Sequence, residues 1–187
     1  MKKLLSFATI ALAITVVASC GNPKTNKTTD ATDDSAAVEA TADSTLYGVC
    51  GEGTTMNYLE LVTDGGDSLI FLIPDADSTA VVMGGLLAGD RLAVIPGADL
   101  DGEHTVAKAI NLTTLQGKWV SIDKNFEILD GGQVKSNVKA ESNPWTSWKI
   151  LNGKLLLNRD TFDIDLLSAD SLYLEDHNGI FTYKRIK

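Results

Sequence analysis

Few side chains in this 187-residue chain are placed to do chemistry. Thiols occur at Cys20 and Cys50, and imidazoles at His104 and His177. Each histidine sits in a turn-like phrase, D-G-E-H or E-D-H-N-G, with no second histidine or cysteine at ligand spacing, so no zinc site is expected. No G-x-S-x-G phrase raises a nucleophile on a sharp turn, and no glycine-rich phosphate loop leads into a helix. The run Asp99-Leu100-Asp101-Gly102-Glu103 begins like a calcium loop but lacks the further carboxylates and the closing glutamate of an EF-hand. Asp163 and Asp165 alternate with Phe162, Ile164 and Leu166, which reads as the solvent face of a strand. Catalysis by carboxylates from distant positions is the one enzymatic route left open. The sequence nominates no catalytic residue, no metal ligand and no cofactor.

Cys20 reads differently, because of what precedes it. Met1-Lys2-Lys3 is a short positive start, and Leu4 to Val17 is mostly apolar, broken only by Ser6, Thr9 and Thr15. A charged start, an apolar run of that length and small residues after it make a secretory signal over residues 1–19. The run falls short of the about 20 residues a membrane span requires. Its exit, Val17-Ala18-Ser19-Cys20, resembles the bacterial lipobox. That resemblance implies a diacylglycerol on the Cys20 sulfur, cleavage before Cys20, and a membrane anchor, each buried CH2 adding roughly 0.8 kcal/mol. Gly21 follows instead of an aspartate. By resemblance to Gram-negative sorting rules, this implies the outer membrane, with the protein facing the periplasm. An acylated Cys20 cannot pair with Cys50. Cys50, between Val49 and Gly51, then reads as a buried small hydrophobe, with an intermolecular disulfide or redox role as the alternative.

Residues 21–44 hold no aromatic residue and one valine, so they cannot bury enough apolar surface to offset chain entropy. With Cys20 they form the expected flexible linker, 20–44, reaching roughly 25–30 Å from the lipid. The formal charge is −9; without Lys2 and Lys3 it is −11, with 14 basic against 25 acidic residues. Such a surface is repelled by phosphate backbones, so nucleic acid is not an expected partner.

From Thr45 onward, short apolar runs are broken by Gly, Asp and Asn every eight to twelve residues, as in all-β sandwiches and barrels. Val81 to Leu87 is the one candidate helical run, and Gly84-Gly85 interrupts it. Residues 45–112 give five strand-like pieces: Leu46–Val49, Asn57–Val62, Ser68–Ile73, Arg91–Ile95 and Thr105–Leu112. A hairpin turn is expected at Asp64-Gly65-Gly66-Asp67. Five strands with an irregular segment after the third are expected to form an OB-type barrel. The phrases E-G-T-T-M-N-Y-L-E-L, D-S-L-I-F and G-L-L-A-G-D-R-L-A-V resemble small OB-like domains of Bacteroidetes lipoproteins.

Residues 113–187 open on Gly117-Lys118-Trp119, which matches the G-x-W signature of lipocalin-like barrels, and end on a strand carrying Arg185. The resemblance implies that Arg185 packs across Trp119 as a structural signature. Trp148 to Leu157 reads as a hairpin turned at Asn152-Gly153, followed by alternating strands over 162–166 and 171–174. The whole is expected to be all-β: two small antiparallel barrels, OB-like and then lipocalin-like. So short a second barrel is expected to be filled by its own side chains, a ligand cavity being the alternative.

Trp145 and Trp148, in N-P-W-T-S-W-K, are the expected ligand or partner contacts. Three apart in an extended segment, they point to opposite faces, one to the core and one outward or to a barrel mouth. The expected function is a non-enzymatic, lipid-anchored binding module for a protein partner or a small apolar ligand. An envelope-stress sensor, by likeness to envelope lipoproteins that join the same two barrel types, and an enzyme of unknown class are the alternatives.

Overall fold

The computed structural model of the chain describes residues 42–74, 81–138 and 142–187. Cys20, the signal segment and the linker up to Thr41 lie outside the described residues.

Period-two alternation sets the first sheet. It comprises β1 (Leu46–Cys50), β2 (Tyr58–Thr63), β3 (Ser68–Leu72), β4 (Val82–Met83), β5 (Arg91–Pro96) and β6 (Val106–Asn111). Leu59, Leu61 and Phe71 face inward with Leu92, Val94 and Val106, while Tyr58, Val62 and Ile70 face solvent. The strand order is β3-β2-β1-β5-β6-β4. A parallel bridge between Leu72 and Thr105, with Leu72 N–H donating to the His104 carbonyl at 2.8 Å, brings β3 back to the start of β6. Those five long strands therefore close into the OB-type barrel expected from the sequence. Cys50 is buried in it, its Sγ 3.3 Å from Thr54 Oγ1.

From Val82 to Leu87 the run is not helical. Val82 and Met83 pair in parallel with Ala109 and Ile110, and Gly84 and Gly85 then turn at φ +90° and +75°. A helical turn that packs into the core, α1 (Leu112–Leu115), takes over at Leu112, the last residue of the expected strand Thr105–Leu112. Asn111 causes the change. It is buried, its Oδ1 accepts from Thr114 N–H at 2.8 Å, and its Nδ2 donates to Asp90 Oδ2 at 2.6 Å and to the Gly85 carbonyl at 3.0 Å. An N-cap side chain of this type stops a strand and starts a helix.

The second sheet comprises β7 (Gly117–Val120), β8 (Asn125–Ile128), β9 (Val134–Ser136), β10 (Trp148–Leu151), β11 (Lys154–Leu157), β12 (Asp160–Leu167), β13 (Ser171–Asp176) and β14 (Gly179–Ile186). Its order is β10-β11-β12-β13-β14-β7-β8-β9. The two ends meet through a bridge between Gln133 and Ser147 and through Val134 N–H donating to the Thr146 carbonyl at 2.9 Å, leaving a nearly closed barrel. The hairpin turns at Asn152 and Gly153, φ +47° and +78°, as their types require. Strand alternation fails at one place. A bulge between Ile164 and Leu166 leaves Leu166 exposed and turns Leu167 inward. Asp163 pairs with Lys154 at 2.7 Å on the outer face.

Trp119, Phe126, Ile150, Leu155, Ile164 and Leu172 fill the barrel interior. The same apolar cluster takes in Met83, Ala93 and Ile110 from the first sheet and Leu112 and Leu115 from α1. Both barrels lie within one compact unit, Ala40–Lys187, and the sheets change over at α1. The chain enters this unit at the β10–β11 turn. Ser44 N–H donates to Asn152 Oδ1 at 2.9 Å, Asn152 N–H donates to Thr45 Oγ1 at 3.1 Å, and Tyr47 donates to the Ile150 carbonyl at 2.9 Å.

Surface carboxylates give the unit an acid limit. Asp64 is held below the usual carboxylate range by hydrogen bonds from Arg91, and Glu60 by the Ser68 hydroxyl and the Gly53 N–H, both at 2.7 Å. A folded-state pKa below the unfolded value gives stability that is present above the unfolded pKa of about 4 and lost as pH falls. The melting temperature should therefore hold from neutrality to about pH 5 and drop below about pH 4, and Asp64→Asn should flatten that drop. Thermal melts across pH check this; equal slopes for wild type and Asp64→Asn would refute the assignment to Asp64.

Candidate functional site

The signature residues lie together at the end of the second barrel nearer α1. The Arg185 guanidinium sits 4.2 Å from the Trp119 ring centroid. Its Nη1 donates to the Gln116 carbonyl at 2.7 Å, its Nε to the Ala169 carbonyl at 2.5 Å, and its Nη2 to the Thr114 carbonyl. Burial pushes the Arg185 pKa down, and the Asp170 carboxylate acts the other way. Trp119 is fully buried and its Nε1 donates to the Leu115 carbonyl at 2.9 Å. Gly117 has φ +134°, and a Cβ there would stand 2.2 Å from Arg185 Nη1. The glycine of G-x-W is thus the space through which the guanidinium reaches the carbonyls of Thr114 and Gln116 at the end of α1. With its hydrogen bonds committed to backbone, this end is a structural plug.

The other end of the barrel is open. Three turns form its rim: the β7–β8 loop, the β11–β12 turn at Asn158 and the β13–β14 turn at His177-Asn178. Ser121 braces the first, accepting at Oγ from Lys124 N–H at 3.1 Å and donating its own N–H to the Lys124 carbonyl at 2.8 Å. Asn158, at φ +56°, clamps the segment before β10: its Oδ1 accepts from the N–H groups of Thr146 and Ser147 at 2.9 and 3.1 Å, and its Nδ2 donates to the Pro144 carbonyl at 3.1 Å. That clamp aims Trp145 into the barrel mouth.

A cup of about 390 Å³ results, floored by Trp145, Phe162 and Tyr183 and walled by Phe181. The rings meet edge to face. Phe126 lies 5.1 Å from both Trp145 and Tyr183, Trp145 lies 5.8 Å from Phe162, and Phe162 lies 6.2 Å from Phe181. Trp145 Nε1 donates to Asp160 Oδ2 at 3.1 Å, and Lys124 Nζ stands 4.4 Å from the centroid of the Trp145 ring. Asp123, Asp176 and His177 complete the polar rim with Asn143 and Asn178. Asp176 lies below the ordinary carboxylate range: desolvation acts upward, but the Asn178 N–H at 2.7 Å and its side-chain amide outweigh it. Beside Phe181 on the outer wall, Ile122 and Ile180 are 100% and 60% exposed.

The expected tryptophan pair divides, though not by strand alternation. β10 begins at Trp148, so alternation never reaches Trp145, which Asn158 positions instead. Trp148 is half-buried against the core and donates its Nε1 to the Leu129 carbonyl at 2.7 Å; it lies outside the cup. Lys124, Asn158, Asp160 and Phe181 are site residues that sequence reasoning missed, each supplied by a different turn or strand. His104 pairs with Asp99 at 2.8 Å on the first barrel, away from the cup. Among the described residues, no three His, Cys, Asp or Glu side chains are grouped to hold a metal ion.

The cup offers fixed aromatic surface, carboxylate and amide acceptors and one ammonium. Comparisons with protein-family models, with curated proteins and with solved structures each find no match.

Proposed function

We propose that this chain is an envelope lipoprotein, anchored to the outer membrane through lipid on Cys20, that binds a small ligand non-enzymatically at the open mouth of its second barrel. The aromatic cup carries this reading: Phe181 and a polar rim stand open to solvent above the buried rings of Trp145, Phe162 and Tyr183, over an interior filled by its own side chains. Concave sites with apolar walls and a few convergent polar groups are where proteins hold small molecules. A filled interior favours a ligand seated in the mouth over one swallowed whole. The exposed Ile122 and Ile180 favour a second reading, in which a protein partner covers the same rim.

A screen of small organic molecules against the full chain tests the proposal, followed on the indole N–H of Trp145 and the amides of Lys124 and Phe181 in NMR spectra. Shifts confined to the mouth are expected, and Phe181→Ala should weaken the best binder about tenfold without moving the melting temperature. Shifts absent from the mouth for every compound would remove the small-ligand reading. Mass analysis of the mature protein tests the anchor. Acyl chains on an N-terminal Cys20 are expected, and a free thiol there would overturn it.

A further inference from the structure

We infer that the ligand of the cup is a neutral sugar, its ring stacked on Phe181 and its hydroxyls donating to Asp160 and to the Asp176–Asn178 turn; this rests on the reading of the mouth as a ligand site. The first observation is which ring a guest can reach. Trp145, Phe162 and Tyr183 are buried, and the Lys124 ammonium stands over the Trp145 face at 4.4 Å. Phe181 is 37% exposed, and Phe162 braces it edge to face, the centroids 6.2 Å apart at 89°. The apolar contact on offer is one ring face, which matches the C–H face of a pyranose.

The second observation is the polar inventory. Asp160 commits Oδ2 to the Trp145 indole N–H at 3.1 Å, and among the described residues no group donates to its Oδ1. Asp176 accepts from the Asn178 N–H at 2.7 Å and from the Asn178 side-chain amide at 3.1 Å, which holds both of its oxygens in place. Those bonds keep Asp176 below the ordinary carboxylate range, so it is ionised at neutral pH. Ionised carboxylates only accept, and hydroxyl donors make short, strong bonds to them. A fitting guest therefore brings several donors close together, as neighbouring hydroxyls on one ring do.

The third observation is charge. Asp123, Asp160 and Asp176 line the cup and disfavour an anion, while Lys124, held at the indole face, disfavours a second cation beside it. A neutral guest meets neither repulsion. The fourth is placement. Phe181 pairs with Leu174 and Gly179 with Asp176 on the β13–β14 hairpin, so one continuous ladder sets the spacing between stacking ring and acceptors. Such a site is organised before the guest arrives. Its volume of about 390 Å³ lies at the small end of ligand pockets, which suits one or two rings over a long chain.

The test uses the full chain in a polyoxyethylene ether detergent, which carries no sugar. The probes are the methyl glycosides of glucose, galactose, mannose and N-acetylglucosamine. Glucitol, which has the hydroxyls without the ring, and cyclohexanol, which has a ring without the neighbouring hydroxyls, are the controls. The Trp145 indole N–H and the Phe181 amide are the NMR reporters. At least one glycoside should shift both, and neither control should. Phe181→Ala and Asp160→Asn should each weaken that glycoside about tenfold, whereas Phe181→Tyr, which keeps the ring face, should bind it as wild type does. Equal shifts from glucitol would overturn the stacked ring, and glycoside binding unchanged in Phe181→Ala and Asp160→Asn would overturn the assigned contacts. Silence from every glycoside, with another compound of the wider screen shifting the mouth, would overturn the sugar and leave the ligand site standing. With no responder in the wider screen either, the site reading would fall as well.

Discussion

Arg185→Ala should lower the stability of the compact unit by about 3 kcal/mol, and Arg185→Lys should recover little of it. Three guanidinium nitrogens hold the carbonyls of Thr114, Gln116 and Ala169 while the group covers Trp119. Hydrogen bonds from a charged donor contribute about 1.5–3 kcal/mol each, and a cation over tryptophan roughly 0.5–2 kcal/mol. The sum is not reached, because the guanidinium is partly solvated and water can replace it at the carbonyls. Lysine lacks the planar fork and can serve one carbonyl well. Urea unfolding of both variants measures the effect. A double-mutant cycle with Trp119→Leu isolates the stacking contribution. A loss below about 1 kcal/mol for Arg185→Ala would show that the plug is ornamental to stability.

Leu115→Ala should cost about 3 kcal/mol and shift the unfolding of both barrels together. Leu115 is fully buried in α1, within the one cluster that contains Ala93 and Ile110 from the first sheet and Trp119 and Leu172 from the second. Truncating a buried leucine costs about 2–5 kcal/mol, depending on how far the site collapses. Little collapse is available here, because the Leu115 carbonyl is also fixed by Trp119 Nε1. Amide exchange at Leu59 in the first barrel and Leu174 in the second reports on the two halves separately. Coincident midpoints that move by the same amount are expected, and two separate transitions would contradict a shared core.

Much of the fold was legible because strands announce themselves by period and turn chemistry. Leu59, Leu61 and Phe71 all point inward as their spacing requires, and Asn152-Gly153 turns its hairpin. Departures came from single residues with tertiary roles. Asn111 starts α1 because Asp90 and Gly85 take its amide, and neither partner is near it in sequence. The bulge after Ile164 reverses the faces of Leu166 and Leu167, a shift that no local pattern signals. Arg185 over Trp119 was legible through resemblance to a signature, and the geometry then supplied a reason for Gly117. The cup was not legible. Lys124, Asp160 and Phe181 belong to separate segments, and only barrel closure brings them around Trp145. Trp145 itself drew notice for its chemistry, but its direction depends on Asn158, thirteen residues later in the chain.

The pinning of Asp43, Ser44 and Thr45 to Asn152 fixes the point at which this stretch of chain joins the second barrel. That turn and the 121–124 loop lie at opposite ends of the second barrel. A force applied to the chain at Ser44 would therefore load the second barrel at its plugged end, as a bell is loaded at its crown, and leave the rim at the far side.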